Sequence, residues 1–131
     1  MKKAGDYLLD TTAAIGFAKK DQALIALAQA GTNIYVPVVA IAEMYFGAFK
    51  SGRTAQNLLL VEKLAKQSKV LVCDIETARA FAQKKQELRR KGRPIPENDI
   101  WIAAIAKQHG LTVLTRDGHF QEVDNLSVTG C

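Results

Sequence analysis

The chain predicts a parallel α/β sheet with helices on both faces. Three observations carry this. Tyr7-Leu8-Leu9, Val70-Leu71-Val72-Cys73 and Leu111-Thr112-Val113-Leu114-Thr115 are apolar or nearly so throughout, as strands buried on both sides are. Between these runs lie segments with apolar residues at helical spacing. Finally, Asp10 and Asp117 stand just beyond the first and the last of these runs, at the edge where ligands bind in open parallel sheets.

Taken in order, Tyr7-Leu8-Leu9 is the first strand, and a helix follows over residues 12–17. Asp21 starts a second helix with Leu24, Ile25, Leu27 and Ala28 on one face, and Gly31 ends it. Residues 33–36 form a second strand. Pro37 permits a helix start, and residues 39–49 continue as a largely apolar helix. Thr54 caps a further helix bearing Leu58, Val61, Leu64 and Ala65. Residues 70–73 are the third strand. Asp74 is an N-cap for a long helix to Lys91. After a loop with Pro94 and Pro96, residues 99–109 form a helix that is apolar almost all round, hence buried, with Gly110 as its C-terminal cap. Residues 111–115 and 126–128 are the last two strands.

A length of 131 residues fits a single domain over 1–131, and 48% hydrophobic residues supply a core. Met1-Lys2-Lys3 is followed by too short an apolar stretch for a signal peptide, and no run approaches the ~20 apolar residues of a membrane span. The expectation is a soluble, cytoplasmic protein without a membrane partner. Cys73 and Cys131 make neither a disulfide framework nor a zinc site, and Cys73 reads as a small core residue.

Four acids adjoin apolar runs: Asp10, Glu43, Asp99 and Asp117. A carboxylate at a core edge is costly unless paired, hydrogen-bonded or bound to a metal. Each has a structural explanation when taken alone. Asp10 can cap the helix after it, Asp99 can offset the start of its helix, and Asp117 can serve a turn beside Gly118. Glu43 is the hardest to explain away, because no other Asp, Glu, Lys, Arg or His lies between Ile34 and Phe49. One cause covers all four: carboxylates gathered around a hard divalent cation, Mg²⁺ or Mn²⁺. Two such ions about 3.5–4 Å apart can activate water and stabilise the leaving oxygen of a phosphodiester. The net charge is +5 with four of the 13 acids assigned to one site, so the remaining surface is strongly basic. That suits a polyanionic substrate.

These residues resemble the PIN-domain ribonucleases, most closely the toxin half of VapBC-type toxin–antitoxin pairs. The likeness covers nearly the whole chain. Tyr7-Leu8-Leu9-Asp10-Thr11 looks like the family's opening strand and first acid, and Ala42-Glu43-Met44-Tyr45-Phe46-Gly47 like its helical glutamate. Asn98-Asp99-Ile100-Trp101-Ile102-Ala103-Ala104 is similar to its third-acid motif, and Thr115-Arg116-Asp117-Gly118-His119-Phe120 to its Thr-x-Asp…Phe ending. The resemblance implies a three-layer α/β/α sandwich with a five-stranded parallel sheet, a homodimer, RNA cleavage dependent on Mg²⁺ or Mn²⁺, and a cognate antitoxin over the acidic pocket. It makes Asp10, Glu43, Asp99 and Asp117 both the catalytic and the metal-binding residues, with Thr115 orienting a carboxylate or water. Two positions depart from the pattern. Thr12 stands where Asn or Ser is common and keeps a hydroxyl. His119 stands where some relatives carry another acid, and it reads as an exposed loop histidine outside the metal site.

Lys84, Lys85, Arg89, Arg90, Lys91 and Arg93 are either a phosphate track or a solvated helix end. Arg116 is placed to meet a backbone phosphate or to pair with an acid. Tyr45, Phe46 and Phe49 read as core or dimer contacts, and Trp101 as core. An aspartyl-phosphate phosphatase would need an acid at Thr12. A receiver domain would need an acid pair after the first strand, and no phosphate-binding loop ending in Lys-Ser/Thr is present. The rival reading is a non-catalytic RNA- or protein-binding module on the same fold.

Overall fold

A computed structural model describes residues 6–30 and 33–130. Along the chain come β1 (Asp6–Leu9), α1 (Thr11–Ala18), α2 (Gln22–Gln29), β2 (Asn33–Pro37), α3 (Val38–Lys50) and α4 (Thr54–Gln67). Then follow β3 (Lys69–Leu71), α5 (Ile75–Lys91), α6 (Glu97–His109), β4 (Thr112–Thr115), a 3₁₀ turn over Gly118–Glu122, and β5 (Val128–Gly130). All strand pairs are parallel, in the order β3-β2-β1-β4-β5. The expected five-stranded sheet between helical layers is therefore present. The chain first builds outward from β1 to β3, then crosses to the other side of β1 for β4 and β5. The strand order thus reverses between β1 and β4, which opens a crevice at their carboxyl ends.

The period-two alternation of strands sorts side chains between two cores. Leu8 and Val113 pack with Leu88, Ile102, Ile105 and Phe120 on the α5–α6 side. Leu9, Val36 and Leu114 pack with Ala13, Leu24, Ile41 and Leu64 on the side of α1 to α4. Each fully buried aliphatic side chain contributes about 1.5–3 kcal/mol. Because both sheet faces are covered, the strands lack a polar side.

The capping reading holds at most helix ends. The Asp21 side chain accepts from the Ala23 N–H, and Asp74 forms a reciprocal capping box with Thr77. Gly92 and Gly110 adopt left-handed C-caps with φ of 66° and 65°, a conformation that costs glycine nothing. Gly31, the expected end of α2, lies outside the described residues.

Four readings are corrected. Thr54 is the first residue of α4 rather than its cap, and its hydroxyl donates to the Ser51 carbonyl. Cys73 is exposed and lies beyond β3. The reason is pairing: the ladder ends at Pro37 opposite Leu71, because its partner strand turns into α3 at Val38. The last strand begins two residues later than expected, since its ladder with β4 starts at Val113 opposite Val128. Trp101 is half-buried rather than central, stacked on Phe81 with ring centroids 3.9 Å apart.

Candidate active site

The crevice between β1 and β4 gathers three of the four acids. Asp10 follows β1, and its backbone N–H still donates to the Leu114 carbonyl at 3.2 Å. Its side chain is buried, with Oδ1 accepting from the Ala13 N–H at 2.8 Å and Oδ2 from the Thr115 hydroxyl at 2.5 Å. Thr115 ends β4, and its Oγ1 also accepts the Asp117 N–H at 2.9 Å. Asp117 Oδ1 in turn accepts the His119 N–H at 2.8 Å. The His119 Nδ1 lies 3.0 Å from Asp99 Oδ2 and 3.1 Å from Asp117 Oδ1. Asp99 sits buried in the first turn of α6. One hydroxyl and one imidazole therefore link three aspartates, two just past the ends of β1 and β4 and one on α6.

The charges strain against each other. Burial raises the Asp10 carboxyl above the ordinary 3.8, and the Asp117 charge adds to this, while hydrogen bonds from Thr115 and Ala13 oppose it. Burial likewise raises Asp99, with repulsion from Asp117 and Asp10, against the opposing contact with His119. The hydrogen bond to Asp99 holds the His119 imidazole above 6.5.

All three shifts are upward, so the folded chain keeps these protons to higher pH than the unfolded chain does. Their stabilising effect is full below the unfolded values, 3.8 for the acids and 6.5 for the imidazole, and is lost as pH rises through the folded values. Asp21, lowered by the Arg116 hydrogen bond, and Asp74, lowered by the Thr77 backbone N–H, act only in more acid solution. With chelator present, the urea midpoint is expected to fall as pH rises from about 5 to about 8. Added Mn²⁺ is expected to flatten that slope by binding the folded carboxylates. A chelated protein whose midpoint rises over this range contradicts the electrostatic account.

Glu43 is not hydrogen-bonded to the aspartates. It lies on α3, which packs against both α1 and α6. It lines a groove of about 200 Å³ together with Ile15, Lys19, Met44 and Asn57. Its Oε1 is buried without a hydrogen-bond partner among the described residues. The structure thus leaves Glu43 outside the linked aspartates, with an unsatisfied buried oxygen of its own, while Asp10 and Asp99, which burial and repulsion disfavour as anions, are donors that suit a divalent cation. The donor atoms of Asp99, Asp117 and His119 all lie within 4.8 Å of one another.

The remaining candidates are dispersed. Thr12 is exposed, and no side-chain hydrogen bond involves it among the described residues, whereas the adjacent Thr11 hydroxyl is buried without a partner. Arg116 bonds Asp21 at 2.5 Å, the acid-pairing alternative for that residue. Lys84 is no part of a phosphate track: it is 2% exposed, its Nζ donating to the Asp124 carbonyl at 2.8 Å and facing Glu87 at 3.2 Å. Lys85, Lys91 and Arg93 pair with Glu97, Asp124 and Glu122. Arg89 and Arg90 are exposed and form no ion pair among the described residues. Tyr45 donates to Glu62 at 2.6 Å, while Phe46 and Phe49 are 63% and 66% exposed and so not core.

His119 is exposed, as its sequence position suggests, but it is not a free-standing loop residue. Its ring is half-exposed but held between two carboxylates. The signal available was its place two residues after Asp117, in a turn closed onto the site by the buried Phe120.

The PIN domain family model matches residues 7–126. "Ribonuclease VapC2" of Haemophilus influenzae is 32% identical over 113 residues, 85% of this chain and 86% of the relative. Among solved structures, DNA-bound VapBC from Salmonella typhimurium superposes with a TM-score of 0.86 at 26% identity, covering 96% of this chain and 98% of that one. VapBC-5 of Mycobacterium tuberculosis, a member of the VapBC family of toxin-antitoxin systems, gives 0.75 at 31% identity, covering 96% and 97%. The fold and these similarities agree: the chain belongs to the PIN-domain family, among the VapC ribonucleases.

Proposed function

We propose that the chain, as one nuclease domain over residues 1–131, is a cytoplasmic endoribonuclease dependent on Mg²⁺ or Mn²⁺ and the toxin of a type II toxin–antitoxin pair. The observation that carries this is the convergence of Asp10, Asp99 and Asp117 at the switch point of the sheet, linked through Thr115 and His119. The ribonuclease names of the relatives and the toxin–antitoxin structures that share the fold support the same reading. Among the described residues no helix is long and apolar enough to cross a membrane.

Asp10, Glu43, Asp99 and Asp117 would hold the cation. The chemistry it supplies when bound is activation of water and neutralisation of charge on the phosphodiester. The chain's own residues do the positioning. The Thr115 hydroxyl and the Ala13 N–H fix both oxygens of Asp10, and Thr115 ties Asp117 to the same point. Such supporting contacts are typically worth 10–100-fold in metal affinity or activity. Arg89 and Arg90, exposed and without an ion pair among the described residues, are suited to meet RNA phosphates. The exposed Phe46 and Phe49 on α3 are where a second copy would bury apolar surface. The antitoxin partner would cover the acidic crevice.

Incubation of purified protein with structured RNA, with and without Mg²⁺ or Mn²⁺, tests the proposal. Cleavage is expected in either ion, abolished by chelation and suppressed by the protein encoded beside it. RNA binding without cleavage in both ions overturns the enzyme reading in favour of a binding module.

A further inference from the structure

We propose that His119 is a nitrogen ligand of the divalent ion and biases the centre toward first-row ions such as Mn²⁺ over Mg²⁺; this rests on the reading of the acid cluster as a metal site. The Nδ1 atom lies 3.0 Å from Asp99 Oδ2 and 3.1 Å from Asp117 Oδ1. Neighbouring ligands around an octahedral ion with bonds of about 2.1 Å stand about 3.0 Å apart. Two of the three separations therefore match adjoining ligand positions, and the donor atoms of the group all lie within 4.8 Å of one another. Both carboxylate oxygens converge on this one nitrogen, whose single N–H would have to be shared between them.

The ring is also presented from a fixed support. The His119 N–H is held by Asp117, and the adjacent Phe120 is fully buried in the core under α6. The ring is half-exposed, and among the described residues no hydrogen bond involves its second nitrogen, which can donate to water as a ligating imidazole usually does. Imidazole suits the softer first-row ions, whereas Mg²⁺ takes carboxylate, carbonyl and water oxygens. One nitrogen among carboxylates therefore separates the two ions in affinity.

Pulsed electron paramagnetic resonance of the Mn²⁺-loaded protein reads the ligand directly. The wild-type chain is expected to show ¹⁴N coupling, replaced by ¹⁵N coupling in protein grown on labelled histidine. His119→Gln is expected to lose the coupling and to weaken Mn²⁺ binding at least about tenfold, with less than about threefold effect on Mg²⁺. The other histidine, His109, ends α6 ten residues after Asp99, about 15 Å along the helix. His109→Gln is accordingly expected to keep the coupling, which identifies the ligand even if His119→Gln fails to fold. Mn²⁺ bound without nitrogen coupling, but weakened by Asp99→Asn, would overturn His119 ligation and leave the acid site standing. Mn²⁺ affinity unchanged by Asp99→Asn would remove the metal-site reading, and this inference with it.

Discussion

Asp10→Asn is expected to lower RNA cleavage by more than about 100-fold without reducing the stability of the metal-free fold. The magnitude follows from comparison: changing a residue that merely supports a metal ligand costs 10–100-fold, and Asp10 is proposed as a ligand itself. The stability side follows from burial. Desolvation already disfavours the Asp10 anion, so a neutral amide relieves a cost. Asparagine also keeps an oxygen to accept from the Ala13 N–H, and it is as good an N-cap as aspartate. Asp10→Ala should differ, losing the cap at about 1 kcal/mol as well as the activity. The measurement is cleavage rate beside the urea midpoint for both variants. Near wild-type cleavage by a folded Asp10→Asn protein would remove Asp10 from the catalytic centre.

Lys84→Ala is expected to destabilise the fold by about 2–4 kcal/mol, the loss of a buried side chain's volume together with its hydrogen bonds. Lys84 is among the largest fully buried side chains, and it ties α5 to the Asp124 carbonyl in the segment before β5. Its removal strands that carbonyl and leaves Glu87, half-exposed, without its neighbour. Lys84→Met keeps most of the volume and should cost less. By contrast, Arg89→Ala and Arg90→Ala, on the exposed face, should stay within about 0.5 kcal/mol of wild type and weaken RNA binding instead. A shift in urea midpoint at unchanged slope reads the first effect. An unaltered midpoint for Lys84→Ala with weakened RNA binding would restore Lys84 to a phosphate-binding role.

The sheet was legible in the sequence because burial on both faces removes polar alternation, leaving plain apolar runs such as Tyr7-Leu8-Leu9. Asp10 and Asp117 were legible for the same reason, since each breaks off a strand at the edge where parallel sheets open. Asp99 stood out at the head of a helix with no polar face. What local sequence could not show depends on distant neighbours. His119 meets Asp99 from 20 positions away, and Lys84 is buried by a carbonyl 40 positions on. Cys73 looked like strand until its pairing partner turned into α3. Glu43 stood out as the lone charge of the apolar stretch from Ile34 to Phe49, and its Oε1 is buried without a hydrogen-bond partner among the described residues. Its groove beside α1 and α4, though, is a product of packing that no helical period reveals.

The parallel pairing of β1 with β4 sets the gauge of the crevice. Adjacent strands stand about 4.8 Å apart, a distance fixed by amide-to-carbonyl bonding and indifferent to side-chain identity. Asp10 is still pinned to Leu114 by such a bond, so the reach between the loops that carry the acids is dictated by peptide groups every sequence possesses. Two-thirds of the positions differ between this chain and its Haemophilus influenzae relative, and divergence on that scale leaves such a ruler unaltered. Helix surfaces and outer turns can then diverge to choose new targets and new inhibitors without retuning the distance on which the chemistry depends.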